Sequence, residues 1–186
     1  DRVRAAAPLG KVPEGIFDHF VMAPFDLQGE WEVTGIATGG EYTVEQQIAT
    51  LEQGDETVPV TMIKRWPVRI PLGVYQERLL PTEPLITKQR IIDTFFPVSK
   101  GGTYCIPGPF GSGKTVLQQI TSRHAEADVV IVAACGERAG EVVETLREFP
   151  RLPDPRTGRT LMERTIIVCN TSSMPVAARE SSIYTA

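Results

Sequence analysis

The sequence predicts two successive folds: a small all-β segment, then an α/β domain whose mostly parallel sheet is covered by helices on both faces. Three observations predict it. Short apolar runs broken by Pro and Gly fill residues 12 to about 70. Pro67, Pro71, Pro81 and Pro84 then interrupt the chain. Beyond them, strands that are apolar throughout alternate with helices.

In the first part, Phe20-Val21-Met22, Trp31 to Ile36, Tyr42 to Leu51 and Val58 to Trp66 read as strands. Tyr42, Val44, Gln46 and Ile48 place like side chains on one face at a spacing of two, and Gly39-Gly40 and Gly54-Asp55 supply turns. From Trp66 to Leu85 the prolines exclude a continuous helix and leave an extended connector. Thr103 to Ile106 reads as a strand, followed by a Gly-rich turn and a helix from about Gly113 to Arg123. A strand at Val129 to Ala134, a helix at about Gly140 to Phe149, a Pro-rich loop, a strand at Thr165 to Cys169 and a helical segment after Met174 complete the order. The expected domains are 1–70, all-β; 71–100, the connector and lead-in; and 101–186, an incomplete α/β domain.

Composition narrows the function class. The chain has 186 residues, 41% apolar and 23% charged, as expected of a packed globular protein. A net charge of -4 and the lack of a long basic run argue against nucleic acid as a partner. The longest apolar stretches, such as Val129 to Cys135, fall far short of the roughly 20 residues needed to cross a bilayer, so any membrane role is indirect. Asp1-Arg2-Val3-Arg4 offers neither an initiator Met nor a signal peptide, and the chain reads as a cut piece. Cys105, Cys135 and Cys169 lie far apart without CxxC spacing and read as reduced core thiols of a cytoplasmic protein.

The chemistry concentrates at Gly108-Pro109-Phe110-Gly111-Ser112-Gly113-Lys114-Thr115, which matches G-x-x-x-x-G-K-[ST] between a strand and a helix. Glycines let backbone N–H groups converge on phosphate oxygens, and the positive end of the following helix dipole adds to that field. The pattern gives Lys114 to the β and γ phosphates and the Thr115 hydroxyl to Mg²⁺, so the second domain reads as a P-loop NTPase fold, one that would serve a GTPase, a kinase or a transporter ATPase equally well. Glu141, Glu144, Arg147 and Glu148 read as a solvated helix face. His19 and His124 show no metal or triad pattern, and His124 reads as a partner for the carbonyls ending the phosphate-loop helix.

Further segments carry a resemblance. Glu83 to Pro97, followed by Lys100-Gly101-Gly102-Thr103, resembles the lead-in to the phosphate loop of rotary ATPase subunits. Cys135-Gly136-Glu137-Arg138 resembles their G-E-R turn, and Asn170 to Glu180 resembles the asparagine-to-glutamate segment of the V-type catalytic A subunit. Pro109-Phe110-Gly111-Ser112 also resembles the A subunit, where F-type β subunits usually carry Gly-Ala-Gly-Val, and the β-rich part ending in Arg65-Trp66-Pro67-Val68-Arg69 is similar to the non-homologous or bulge domain inserted in A subunits. Lys88 departs from the pattern, standing where the family commonly has Gly before Gln-Arg.

The resemblance implies an ATP hydrolase or synthase, taking ATP or ADP with Mg²⁺, that couples its reaction to transport of H⁺ or Na⁺, on the cytoplasmic side and peripheral to the cell membrane. It implies that Glu137 polarises the attacking water and that Arg138 holds γ-phosphate or Glu137, with a structural salt bridge as its other reading. Arg179 and Glu180 fit the pattern in a structural role. B subunits in an alternating hexamer, supplying an arginine finger in trans, and central and peripheral stalk subunits are the implied partners. The Walker B aspartate and the adenine-packing aromatics are expected beyond Ala186, so this stretch alone is expected to bind nucleotide weakly and turn over negligibly. The competing readings are a nucleotide-binding regulatory or assembly module and a related hexameric export ATPase; intact Lys114, Thr115 and Glu137 speak against the first, and the inserted domain against the second.

Overall fold

Strand pairing in the N-terminal part follows its turn residues. The computed structural model describes residues 1–73, 77 and 79–186. The chain divides into two compact units, Asp1–Glu77 and Arg78–Ala186. In the first, β1 (Arg2–Val3), β4 (Trp31–Ile36), β5 (Ala49–Gln53) and β6 (Glu56–Val60) form an antiparallel sheet in the order β1-β4-β5-β6. Gly54, at φ +60, turns β5 into β6 through the expected Gly54-Asp55 pair. A separate hairpin pairs β2 (Pro8–Glu14) with β3 (Phe17–Met22). Ala23, Leu27, Trp31, Ala49, Leu51 and Val60 make the core. Trp31 buries its ring while its indole N–H donates to the Gln28 carbonyl at 3.0 Å, so the polar edge costs nothing.

Two expected strands are shorter than the alternation suggests. Tyr42 to Ile48 is not strand, because Thr43 N–H donates to Gln46 Oε1 at 2.6 Å and Gln46 N–H donates back to the Thr43 carbonyl, closing a turn. The strand expected to run to Trp66 ends at Val60, opposite Ala49, the first residue of its neighbour β5. β2 was not anticipated: Pro8, Gly10 and Pro13 disguise it, and they are tolerated because β2 pairs on one side only. In the connector, Val74, Tyr75, Gln76 and Arg78 lie outside the described residues, and the described ones from Pro67 to Glu83 hold no helix.

In the second unit, β7 (Pro84–Leu85) pairs with β8 (Val98–Ser99), flanking a short helix α1 (Arg90–Phe95). Asp93 anchors its entry by accepting from the Thr87 N–H at 3.0 Å and the Thr87 hydroxyl at 2.7 Å. The expected helices and strands follow as α2 (Lys114–His124), β9 (Val130–Cys135), α3 (Ala139–Glu148), β10 (Thr165–Asn170) and α4 (Val176–Thr185), with a 3₁₀ turn at Leu161–Arg164. β9 and β10 are parallel and in register from Val130–Thr165 to Cys135–Asn170. The expected strand Thr103 to Ile106 is not formed: its backbone finds no ladder partner among the described residues, and the parallel sheet there has two strands. Cys105 and Cys135 are exposed and Cys169 is half-buried, so the thiols are free but are not core residues. No helix among the described residues is long and apolar enough to cross a membrane.

Lys88 holds φ +61, in the left-handed region that favours glycine. Its Cβ therefore sits in a strained conformation at the entry to α1. Lys88→Gly is expected to stabilise the unit by up to about 1 kcal/mol, the relief of strain exceeding the entropy glycine adds to the unfolded chain. Chemical denaturation of the two proteins checks this, and a destabilised variant contradicts it.

Candidate functional site

The loop Gly108 to Thr115 is shaped by its glycines. Gly111 and Gly113 take φ +76 and +85, conformations that a side chain resists, and Gly113 stands at the N-cap of α2 with no side chain capping the helix. The first N–H groups of α2 are thus left facing outward with the positive end of the helix dipole behind them. A Cβ at Gly108 would collide with Ser112 Oγ, whose hydroxyl donates to the Pro109 carbonyl at 2.8 Å. Gly108 is therefore required by packing within the loop as well as by the motif.

Lys114, half-buried, folds back over the loop and donates to the carbonyls of Gly108 at 2.8 Å and Pro109 at 2.7 Å. Two of its three ammonium hydrogens are satisfied by the loop, which holds the cation where phosphates would arrive. Phe110 projects into solvent, and the Arg138 guanidinium lies 5.0 Å from its ring centroid, a cation–π contact joining the phosphate loop to the turn after β9. Among the described residues, the side-chain contact recorded for Arg138 is this one with Phe110.

That turn is Gly136-Glu137. Gly136 has φ +87, and a Cβ on it would press on Arg179 Cδ at 3.2 Å. The stretch after β10 clamps it: Gly136 N–H donates to the Asn170 carbonyl at 2.8 Å and Ser172 N–H donates to the Glu137 carbonyl at 2.9 Å. Asn170 is held in turn by its amide, which donates to the Ala178 carbonyl at 2.8 Å and to Ser182 Oγ at 2.6 Å. Arg179 thus packs directly behind the glutamate turn.

Thr115, Glu137 and Glu141 line one cleft of ≈ 280 Å³, walled by α2, β9 and α3. Thr115 and Glu137 thus share one cleft, and Lys114 lies near enough to Glu137 for their charges to interact. Glu141 is a correction: it belongs to the cleft and not only to a solvated helix face, because the first turn of α3 rises beside the Gly136-Glu137 turn. Burial first, then a hydrogen bond and like charge from Glu141, raise the Glu137 carboxyl above its ordinary value, with Lys114 pulling the other way. His124 is a second correction. Its Nδ1 is buried without a hydrogen-bond partner, and burial lowers its pKa, aided by the charges of Arg123 and Lys88. His19 Nδ1 meets Glu14 Oε2 at 2.6 Å across the β2–β3 hairpin, a hydrogen bond between two exposed side chains.

A carboxyl raised by folding binds its proton more tightly in the native state, so its stabilising contribution is full below the ordinary value of 4.5 and is lost as pH rises through the folded value. Glu137→Gln is therefore expected to melt above the parent at neutral pH and level with it at acid pH. Melting curves across that range check this, and an equal shift at both ends contradicts it.

Residues 88–186 match the ATP synthase alpha/beta family, nucleotide-binding domain, and residues 1–69 match the ATPsynthase alpha/beta subunit barrel-sandwich domain. The whole chain aligns with the V-type ATP synthase alpha chain of Treponema denticola at 63% identity and that of Borrelia hermsii at 61%, and with V-type ATP synthase alpha chain 1 of Treponema pallidum at 64%. In each case 100% of this chain and 32% of the relative are covered, so the chain spans about a third of the length of the curated relatives it matches. With an all-β N-terminal domain followed by a P-loop-type domain, the chain belongs to the ATP synthase alpha/beta family.

Proposed function

We propose that this chain is the nucleotide-gripping part of the catalytic A subunit of a rotary V-type ATPase or ATP synthase, coupling ATP hydrolysis or synthesis to H⁺ or Na⁺ transport. The observation that carries the reading is one cleft lined by Thr115 and Glu137 beside an uncapped helix N-terminus bearing Lys114. The names of its relatives, V-type ATP synthase alpha chains, support the branch. The all-β unit is assigned as the inserted domain of that subunit, and the β9–β10 pair as part of a mostly parallel sheet with helices on both faces.

The residues fit a magnesium nucleotide. Gly108 forms a cradle that a Cβ would fill, the α2 N–H groups face out, and Lys114 and Thr115 lie on the first turn. Bound Mg²⁺ would supply charge neutralisation at the phosphates, with Thr115 as its protein ligand. Lys114 exchanges its two loop carbonyls for phosphate oxygens, a stronger charge-assisted contact. Glu137, held by backbone bonds to the Asn170–Ser172 stretch, orients water and accepts its proton, and its raised pKa makes it a stronger base than an ordinary carboxylate. Arg138 can leave Phe110 and turn to the terminal phosphate, so the loop and the glutamate turn respond together. In this proposal B subunits complete the site in an alternating hexamer, stalk subunits carry the rotation, and the assembly sits on the cytoplasmic side against a membrane sector.

Two measurements test it. Calorimetry with Mg-ADP is expected to show binding that Lys114→Ala abolishes; heat unaffected by that substitution contradicts the reading. In the assembled complex, Glu137→Gln is expected to lower hydrolysis by about 10²–10⁴-fold while leaving Mg-ADP affinity within a factor of a few. Near-normal hydrolysis would instead favour a nucleotide-binding regulatory module.

A further inference from the structure

We propose that Arg164 and Asp154 are positioning residues for the phosphate loop, acting through α2: they fix the C-terminal end of the helix whose N-terminal end carries Lys114 and Thr115. The inference rests on the nucleotide-binding reading above and adds to it a buried site at the far end of the same helix.

The two side chains are nearly inaccessible, 2% exposed for Arg164 and 1% for Asp154. Arg164 Nε lies 2.9 Å from Asp154 Oδ2 as a close ion pair, although the N–H is not aligned for a hydrogen bond. The rest of the guanidinium is spent mostly on backbone, with one long contact from a terminal nitrogen to Asp154 Oδ1 at 3.5 Å. One terminal nitrogen donates to the Ala127 carbonyl at 2.8 Å, and the other reaches the carbonyls of Ser122 at 3.2 Å and Arg123 at 3.3 Å. Ser122 and Arg123 stand in the last turn of α2, where carbonyls have no helical N–H to accept from. Ala127 lies in the link from α2 to β9, the strand that ends at the Glu137 turn. One planar cation therefore ties the end of the phosphate-loop helix to the start of the glutamate strand, and it does so where the negative end of the helix dipole favours positive charge.

Asp154 is itself fixed. It accepts from the Arg156 N–H at 3.1 Å and the Thr157 hydroxyl at 3.1 Å, in a loop closed by Asp154 N–H donating to the Arg159 carbonyl at 2.7 Å. Burial alone would raise this carboxyl, but those hydrogen bonds and Arg164 bring it below its ordinary value, so the pair stays charged. A buried ion pair is rarely the most stabilising filling for such a space; an apolar pair of similar volume commonly does as well or better. What an apolar pair cannot do is hold orphan carbonyls. An 11-residue helix is a lever of about 16 Å, so play at its C-terminal end is transmitted to the residues that meet phosphate.

The test compares the parent chain with Arg164→Met/Asp154→Leu, Arg164→Lys and Lys114→Ala, reading Mg-ADP affinity by calorimetry and melting temperature on the same samples. The double variant removes the anchor without leaving a buried charge unpaired. Its freed carbonyls are expected to lower the melting temperature, yet at a temperature where it is fully folded it is expected to bind Mg-ADP about tenfold more weakly, a loss that a purely structural role would not produce. Arg164→Lys, which keeps the charge and loses the planar fork, is expected to fall between, about threefold weaker. Parental affinity in the folded double variant overturns the inference while leaving the nucleotide-binding reading intact; should that variant not fold, parental affinity in Arg164→Lys does the same. A parent that binds no Mg-ADP, or binds it equally after Lys114→Ala, overturns the functional reading and this inference with it.

Discussion

The direction in which the N-terminus of α2 points decides what the second unit can bind, and both ends of the helix are arranged around that constraint. At the front, glycines at positive φ bend the chain so that no side chain caps the helix and its first amides stay open. At the back, the Arg164 fork occupies carbonyls that would otherwise be orphaned in a buried place. An uncapped N-terminus costs about 1 kcal/mol of helix stability. The buried Arg164 cation at the opposite end works against that cost. The helix is therefore left uncapped where it must receive a ligand and held where it must not move.

The same logic governs charge in the cleft. Lys114 and Arg138 are both engaged without a ligand, the first by loop carbonyls and the second by the Phe110 ring. These contacts keep two cations close to where phosphate would lie, at less cost than leaving them in an open, disordered arrangement. Opposite them, burial and then the neighbouring Glu141 raise the Glu137 carboxyl. Glu137 is placed by backbone hydrogen bonds to the stretch after β10, and its carboxyl shares a hydrogen bond with Glu141.

Much of this was legible in the sequence where local chemistry decides the outcome. The glycine spacing from Gly108 to Thr115 and the apolar runs that became β9 and β10 depend on near neighbours, and they were found within a residue or two of their bounds. Readings that needed a distant partner fared worse. Thr103 to Ile106 has the composition of a strand but no ladder, and Tyr42 to Ile48 has the alternation of one but folds on the Thr43–Gln46 bonds. In the site, Glu141 was read as solvated because helical spacing says which residues share a face and not what that face meets. Arg164 and Asp154 gave no signal, being ten residues apart in a Pro-rich loop and a 3₁₀ turn. Polar residues beside the fully buried Leu161 were the available hint.

The account stands or falls on whether ligand reaches the open end of α2. Amide chemical shifts of the chain, followed as Mg-ADP is added, address that residue by residue. The account predicts that the largest changes fall on the backbone amides of Gly111 to Thr115, with smaller ones at Gly136 to Arg138. Changes confined to other parts of the chain, or none at concentrations where calorimetry reports binding, would contradict it.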